Sequence, residues 1–156
     1  GVFRQGRQRG GACFKRLEGC WSDRETVYFA STTGGWRGTG QIWRYDPRAE
    51  RLHLAFESGA RHALDEPDNV TTFAGGVLIC ENGAAPARLM CLDRSGRMFP
   101  VAENAIVMRT EQGKRDYRYG EWCGVNVVGD WVLVNIQVPG VTIAIRGPWH
   151  EYAATS

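Results

Sequence analysis

Two stretches decide the fold: GQIWRYDPRAERLHLAF at residues 40–56 and ARLMCLDRSGRMFPVA at residues 87–102. Each contains a run of alternating residues, an Asp that opens a turn, and a second short run. Alternation of apolar and polar residues is the pattern of a half-buried strand, and Asp, Pro, Ser and Gly favour turns. The sequence therefore predicts an antiparallel strand pair that occurs twice.

These strand pairs belong to three larger units, which begin near residues 18, 68 and 121. Apolar runs between Gly turns give each unit up to four strands, as in NVTTFAGGVLICENG at 69–83 and GVNVVGDWVLVNIQVPGVTIAI at 124–145. Successive groups of four short strands are typical of propeller blades. The sequence thus predicts an all-β fold, a partial β-propeller of about three blades, with a β-sandwich as the alternative.

The predicted organisation has three parts. A flexible lead-in rich in Gly and Arg covers residues 1–12, the blades cover 13–150, and a tail covers 151–156. Closed propellers have four to eight blades, so three blades leave sheet edges open. We therefore expect the C-terminal part of a larger propeller, whose remaining blades lie upstream in the parent protein.

Composition narrows the class of protein. A hydrophobic share of 43% and a net charge of +2 are typical of a globular domain without a strong attraction for nucleic acid. No apolar run reaches the roughly 18 residues of a membrane span. The five cysteines are odd in number and form no CxxC motif, which argues against a disulfide framework or a zinc knuckle. Cys80, Cys91 and Cys123 lie in apolar runs and are expected in the core.

Several segments together carry a family resemblance: FKRLEGCWSDRETVYFAST at 14–32, GQIWRYDP at 40–47, PDNV at 67–70, LICENG at 78–83 and VLVNIQVPGVTIAIRGPW at 132–149. They resemble the C-terminal section of PhoX-type alkaline phosphatases. The resemblance implies a six-bladed propeller with a calcium- and iron-dependent centre that hydrolyses small phosphoesters at its axis. It also implies export to the periplasm or the extracellular space, and an inactive fragment when the other blades are missing.

The first candidate site motif is Arg16-Leu17-Glu18, which matches an Arg–spacer–Glu motif of that family. Residues two apart on a strand share a face, so the resemblance implies a Glu18 metal ligand beside an Arg16 phosphate clamp. The usual spacer in the family is Pro, and this chain has Leu. The alternative reading is a surface ion pair at the start of a strand.

Three further positions complete the predicted metal ligands. Asp68 and Asn69 match a second family motif, although Pro-Asp-Asn is also a good β-turn sequence. Glu81 matches an acid that ends the next strand, and Glu121 opens the third unit as Glu18 opens the first. Asp65 and Glu66 are expected to be solvated loop charges.

Other chemistries find little support. His53, His62 and His150 have no partner at metal-binding spacing, and TTGGWRGTG at 32–40 lies between strands, not before a helix as a phosphate-binding loop would. Two rival functions remain open: a non-catalytic propeller module stabilised by calcium, and a lactonase-like hydrolase with a single calcium ion.

Overall fold

The computed structural model describes residues 1–23, 25–84 and 86–149; His150 and the predicted tail lie outside them. The described residues form one short helix, α1 (Val2–Gln8), and antiparallel strands. The strands are β1 (Leu17–Ser22), β2 (Val27–Ser31), β3 (Gln41–Asp46), β4 (Arg51–Glu57), β5 (Pro67–Phe73), β6 (Gly76–Glu81), β7 (Arg88–Asp93), β8 (Met98–Glu103), β9 (Val107–Thr110), β10 (Gly113–Asp116), β11 (Trp122–Val128), β12 (Trp131–Ile136) and β13 (Val141–Arg146). The all-β prediction is confirmed.

The strands form three larger sheets and one hairpin. Sheet I has the order β1-β2-β3-β4, sheet II β5-β6-β7-β8 and sheet III β11-β12-β13, so each sheet is a meander of consecutive strands. The hairpin β9-β10 lies between sheets II and III in the chain. The three sheets begin at Leu17, Pro67 and Trp122, next to the three predicted starts, and the arrangement is consistent with a partial propeller-like fold.

The segment before sheet I contributes little to the core. All seven residues of α1 are exposed. Packing begins at Phe14, whose ring contacts Phe29 and Trp43 edge-on at centroid distances of 5.2 and 5.3 Å. Edge-to-face contacts of this kind are favourable aromatic geometry. The chain is therefore anchored on one face of sheet I just before Arg16.

The core lies between the sheets, with sheet II in the middle. Along β6, Val77 and Ile79 belong to the apolar cluster shared with sheet I. Leu78 and Cys80 alternate with them and belong to the cluster shared with sheet III. Side chains of successive strand residues point to opposite faces, so sheet II is buried on both sides. Cys80 and Cys91 are buried as expected, while Cys123 is half-buried.

Candidate functional site

The first strands of the three sheets lie side by side, with β5 between β1 and β11. A Cβ atom on Gly19 would lie 2.5 Å from the carbonyl oxygen of Asp68 and 2.7 Å from the nitrogen of Val70, so only glycine permits this approach of β1 to β5. On the other side, the N–H of Val125 donates a hydrogen bond of 3.1 Å to Oδ1 of Asn69. The starts of all three strands therefore meet in one region.

One hydrogen bond recurs at the start of each sheet. The residue following the second strand donates its N–H to a carbonyl just before the first strand. The three bonds are Thr32 to Arg16 at 2.9 Å, Asn82 to Glu66 at 3.0 Å, and Gln137 to Glu121 at 3.0 Å. Arg16, Glu66 and Glu121 therefore occupy equivalent positions in sheets I, II and III.

This equivalence corrects the alignment of the third unit. Two residues further along the first strands lie Glu18, Asp68 and Cys123, so the structural counterpart of Glu18 in sheet III is a cysteine. Glu121 corresponds instead to Arg16. The sequence pattern matched Glu121 with Glu18 because both are acids near the start of a unit. The backbone hydrogen bonds of the folded sheets instead match Glu121 with Arg16.

A bulge at the same place in β1 and β5 displaces the two candidate acids. The register of β1 against β2 shifts between Leu17 and Cys20, so Glu18 and Gly19 together face one residue of β2. The register of β5 against β6 shifts in the same way around Asp68 and Asn69. A bulge interrupts the ladder and re-aims side chains. Each bulge thus begins with a carboxylate at the entry of its strand.

Arg16 lies among these acids. Its Nη2 is 3.7 Å from Oε1 of Glu18, and its Nη1 is 3.6 Å from Oε2 of Glu66. Burial raises the pKa of Asp68, the charge of Glu18 raises it further, and Arg16 lowers it. Burial also raises the pKa of Glu121, followed by the charge of Asp68, with Arg16 again lowering it. Arg16, Glu18, Asp68 and Glu121 therefore form one electrostatic group, which we call the Arg16 cluster.

The cluster has the right type of atoms for a hard cation but does not close around one. Carboxylate oxygens are the ligands that calcium prefers, and mutual repulsion between the acids would be relieved by a positive ion. Within the part of the chain that the structure describes, however, no three His, Cys, Asp or Glu side chains come together in a way that could hold a metal ion. The carboxylate oxygens are therefore of the type that binds a hard cation, but the described residues bring too few of them together to complete a metal site.

Glu81 lies in a different environment from the Arg16 cluster. Its side chain is only 2% exposed, and both of its oxygens accept hydrogen bonds of 2.7 Å from the Arg88 guanidinium. Its Oε1 also accepts the backbone N–H of Asp65 at 2.7 Å. Burial raises the pKa of Glu81, while the bonds from Arg88 and Asp65 oppose that rise. The structure thus places Glu81 in a buried ion pair, with its oxygens already engaged.

Three residues near the cluster have surroundings that the sequence did not predict. Glu66, expected as a solvated charge, is paired with Arg16; the signal was available, because Glu66 precedes Asp68 by two residues as Arg16 precedes Glu18. Thr32 is fully buried, and its hydroxyl donates a hydrogen bond of 2.7 Å to the carbonyl of Pro67. Nothing in the sequence marks Thr32. Asp65 was likewise expected as a solvated charge, and this prediction is wrong: its side chain is buried, and the N–H of Ala84 donates to its carboxylate at 2.8 Å.

Comparison with known proteins gives the family. The sequence model of the family described as alkaline phosphatase PhoX matches residues 1–140, so the chain belongs to the PhoX alkaline phosphatase family, which is a family of metal-dependent phosphatases. Neither the comparison with curated proteins nor that with solved structures gave a match. In the described ranges, no helix has the length and apolar character needed to cross a membrane.

Proposed function

We propose that this chain forms one side of a centre that hydrolyses phosphoesters, with Arg16 as its phosphate-binding group and Glu18 and Asp68 as metal ligands. The observation that carries the proposal is the position of one guanidinium among the carboxylates at the entries of β1 and β5. Glu121 is the third carboxylate of the group and a further candidate ligand. Membership of the family makes a small phosphoester the proposed substrate class.

Arg16 has the chemistry that a phosphoryl group requires. Its planar guanidinium can donate two parallel hydrogen bonds to phosphoryl oxygens. The side chain is 47% exposed, so a substrate can reach it. Donors fixed in place before the reaction stabilise charge that develops in the transition state. Arg16 would therefore orient the phosphoester and stabilise its negative charge.

Calcium and iron are the proposed metals. Bound beside Arg16, they would supply positive charge that polarises the phosphoryl oxygens. Glu18 and Asp68 offer oxygen ligands from neighbouring sheets, and burial and repulsion have already made the ionised form of Asp68 less favourable. Asn69 joins β5 to β11, because its Oδ1 accepts the N–H of Val125, and Glu81 holds the backbone of Asp65 by accepting its N–H. In this proposal both residues support the ligands without binding metal.

The ligands that would complete the centre are assigned to other blades of a parent propeller. We therefore infer that the isolated chain binds metal weakly and lacks turnover. PhoX proteins are generally exported, and we infer the periplasm or the extracellular space for the parent protein.

Calcium and iron analysis is the first test. The parent protein is purified without added metal, its metal content is measured, and hydrolysis of p-nitrophenyl phosphate is assayed. Variants Glu18→Gln and Asp68→Asn are expected to lose metal and turnover while remaining folded. Glu25→Gln is the matched control, because Glu25 forms an exposed ion pair with Arg48 at 3.2 Å.

The outcomes separate the candidate functions. Both metals at near-stoichiometric levels would support the phosphatase centre. Calcium alone, without phosphoester hydrolysis, would favour a lactonase-like or structural calcium site. Absence of both metals from the folded parent would contradict the proposal.

A further inference from the structure

We propose that Glu66 is a positioning residue for Arg16: its carboxylate keeps the guanidinium beside Glu18. The role toward phosphate rests on the function proposed above, whereas the positioning itself is a statement about this chain alone. Glu66 lies outside the predicted ligand set. Its contact with Arg16 spans the boundary between sheets I and II.

The guanidinium lies between two carboxylates. Nη1 of Arg16 is 3.6 Å from Glu66, and Nη2 is 3.7 Å from Glu18. An isolated exposed pair would restrict a long side chain only weakly. Two acids, each closest to a different terminal nitrogen of the guanidinium, limit its orientation more than either acid alone. Glu66 is the less exposed of the two, with 27% of its side chain accessible against 40% for Glu18.

Arg16 and Glu66 share an unusual backbone conformation. Their φ angles are +48° and +51°, in the left-handed region that residues other than glycine rarely adopt. The two residues are also equivalent in their sheets, since each carbonyl accepts the N–H that follows the second strand. Strained backbone at matching positions is an observation from which a functional role can be inferred. Here the two residues that share this conformation carry opposite charges and form an ion pair with each other.

The backbone of Glu66 is held by hydrogen bonds on both its N–H and its carbonyl. Its N–H donates to the carbonyl of Thr39 at 3.0 Å, and its own carbonyl accepts the N–H of Asn82 at 3.0 Å. The preceding residue, Asp65, donates its N–H to the buried Glu81. The carboxylate of Glu66 therefore starts from an ordered backbone, so less freedom is lost when it pairs with Arg16.

The first experiment measures the order of the Arg16 side chain. NMR relaxation of its Nε–Hε group is recorded on the full chain, on Glu66→Gln and on the matched control Glu25→Gln. We expect an ordered Arg16 in the unmodified chain and in the control, and an order parameter below about 0.6 in Glu66→Gln. Glu66→Asp keeps the charge and is expected to restore part of the order. An Arg16 that is equally ordered with and without Glu66, or mobile in the unmodified chain, would overturn the inference.

The second experiment links positioning to anion binding. Inorganic phosphate is titrated into the same variants while the Arg16 Nε–Hε signal is followed. Removing a negative charge should by itself strengthen phosphate binding, whereas loss of positioning should weaken it by about threefold or more. Tighter binding by Glu66→Gln would therefore overturn the role toward phosphate. Because the proposed centre is completed by other blades, phosphate binding is also measured on the parent protein. If the parent protein binds no phosphate, that result counts against the proposed function, while the order of Arg16 still decides the positioning.

Discussion

The hydroxyl of Thr32 donates a hydrogen bond of 2.7 Å to the carbonyl oxygen of Pro67, joining the end of β2 to the start of β5. The N–H of the same residue donates to the carbonyl of Arg16 at 2.9 Å. One fully buried residue therefore fixes the backbone on both sides of the boundary between sheets I and II. The positions of Arg16 and Asp68 depend on this link.

Replacing Thr32 with Val removes the hydroxyl and keeps the shape of the side chain. The buried carbonyl of Pro67 then loses its partner, which is expected to lower the free energy of unfolding by about 1–3 kcal/mol. Urea unfolding measures the change. Thr32→Ser keeps the hydroxyl and is the matched control. A loss in the Ser variant as large as that in the Val variant would show that packing of the methyl group, not the hydrogen bond, matters at this position.

Gly19 permits the close approach of β1 to β5. In Gly19→Ala the new Cβ would meet backbone atoms of Asp68, Asn69 and Val70 at 2.5–2.7 Å, so one of the strands must move. We expect a loss of about 1–3 kcal/mol in the free energy of unfolding, as for overpacked cores. Gly59→Ala is the control, since a Cβ there meets nothing within 4 Å. Equal stability of the two variants in urea unfolding would contradict the close packing of β1 on β5.

The sheets could be predicted because each strand carries a local signal. Alternating runs in β3 and β4, and turn residues such as Asp93 and Gly96, mark where strands begin and end without reference to the rest of the chain. The segment at 105–120 lacks that signal, and its exposed hairpin β9-β10 was not predicted. Its strands bury no side chain, so they leave no apolar pattern to read.

The site was less predictable because it depends on which residues face each other across strands. In the antiparallel pairing of β6 and β7, Cys80 lies opposite Leu89. The next residue on each strand is Glu81 or Arg88, so these two lie side by side and can pair. That register exists only in the folded sheet. The equivalence of Glu121 with Arg16 likewise follows from a backbone hydrogen bond. Motifs could identify Arg16, Glu18 and Asp68 as candidates, but they could not show which acids are engaged elsewhere.

The pair Glu81–Arg88 tests whether Glu81 is a structural residue or a free metal ligand. Arg88→Met leaves the buried Glu81 carboxylate without its cation, and we expect a loss of about 3–5 kcal/mol in the free energy of unfolding. The double variant Glu81→Met with Arg88→Met removes both charges and should recover much of that loss. Thermal and urea unfolding provide the measurement.

Calcium binding by Glu81→Gln supplies the second readout for this pair. A structural Glu81 predicts lower stability with unchanged calcium affinity. Lost calcium affinity at full stability would return Glu81 to the ligand set.

Asp116 gives the clearest prediction of pH dependence. Hydrogen bonding from the Arg118 side chain lowers the pKa of Asp116 from 3.8 to about 2. Because the folded pKa lies below the unfolded one, this contribution to stability is present above about pH 4 and is lost as the pH falls toward 2. The carboxyl carbon chemical shift of Asp116 should therefore titrate near 2, and nearer 3.8 in Arg118→Gln. Arg97→Gln should leave it unchanged; an unshifted midpoint in Arg118→Gln would contradict the pairing.

The five thiols should differ in reactivity according to burial. Cys13 and Cys20 are exposed, whereas burial raises the pKa of Cys80 and raises that of Cys91 to about 12. Only thiolates react readily, so iodoacetamide at about pH 8 should modify the first two and leave the buried pair intact until urea unfolds the chain. Cys123 is half-buried, with a pKa raised by burial and by Glu121, and should react at an intermediate rate. Peptide mass spectrometry over time measures each site. Modification of Cys80 as fast as Cys13 in the folded chain would mean that sheets II and III separate readily, which would also remove the support that β11 gives to Asn69 and the neighbouring Asp68.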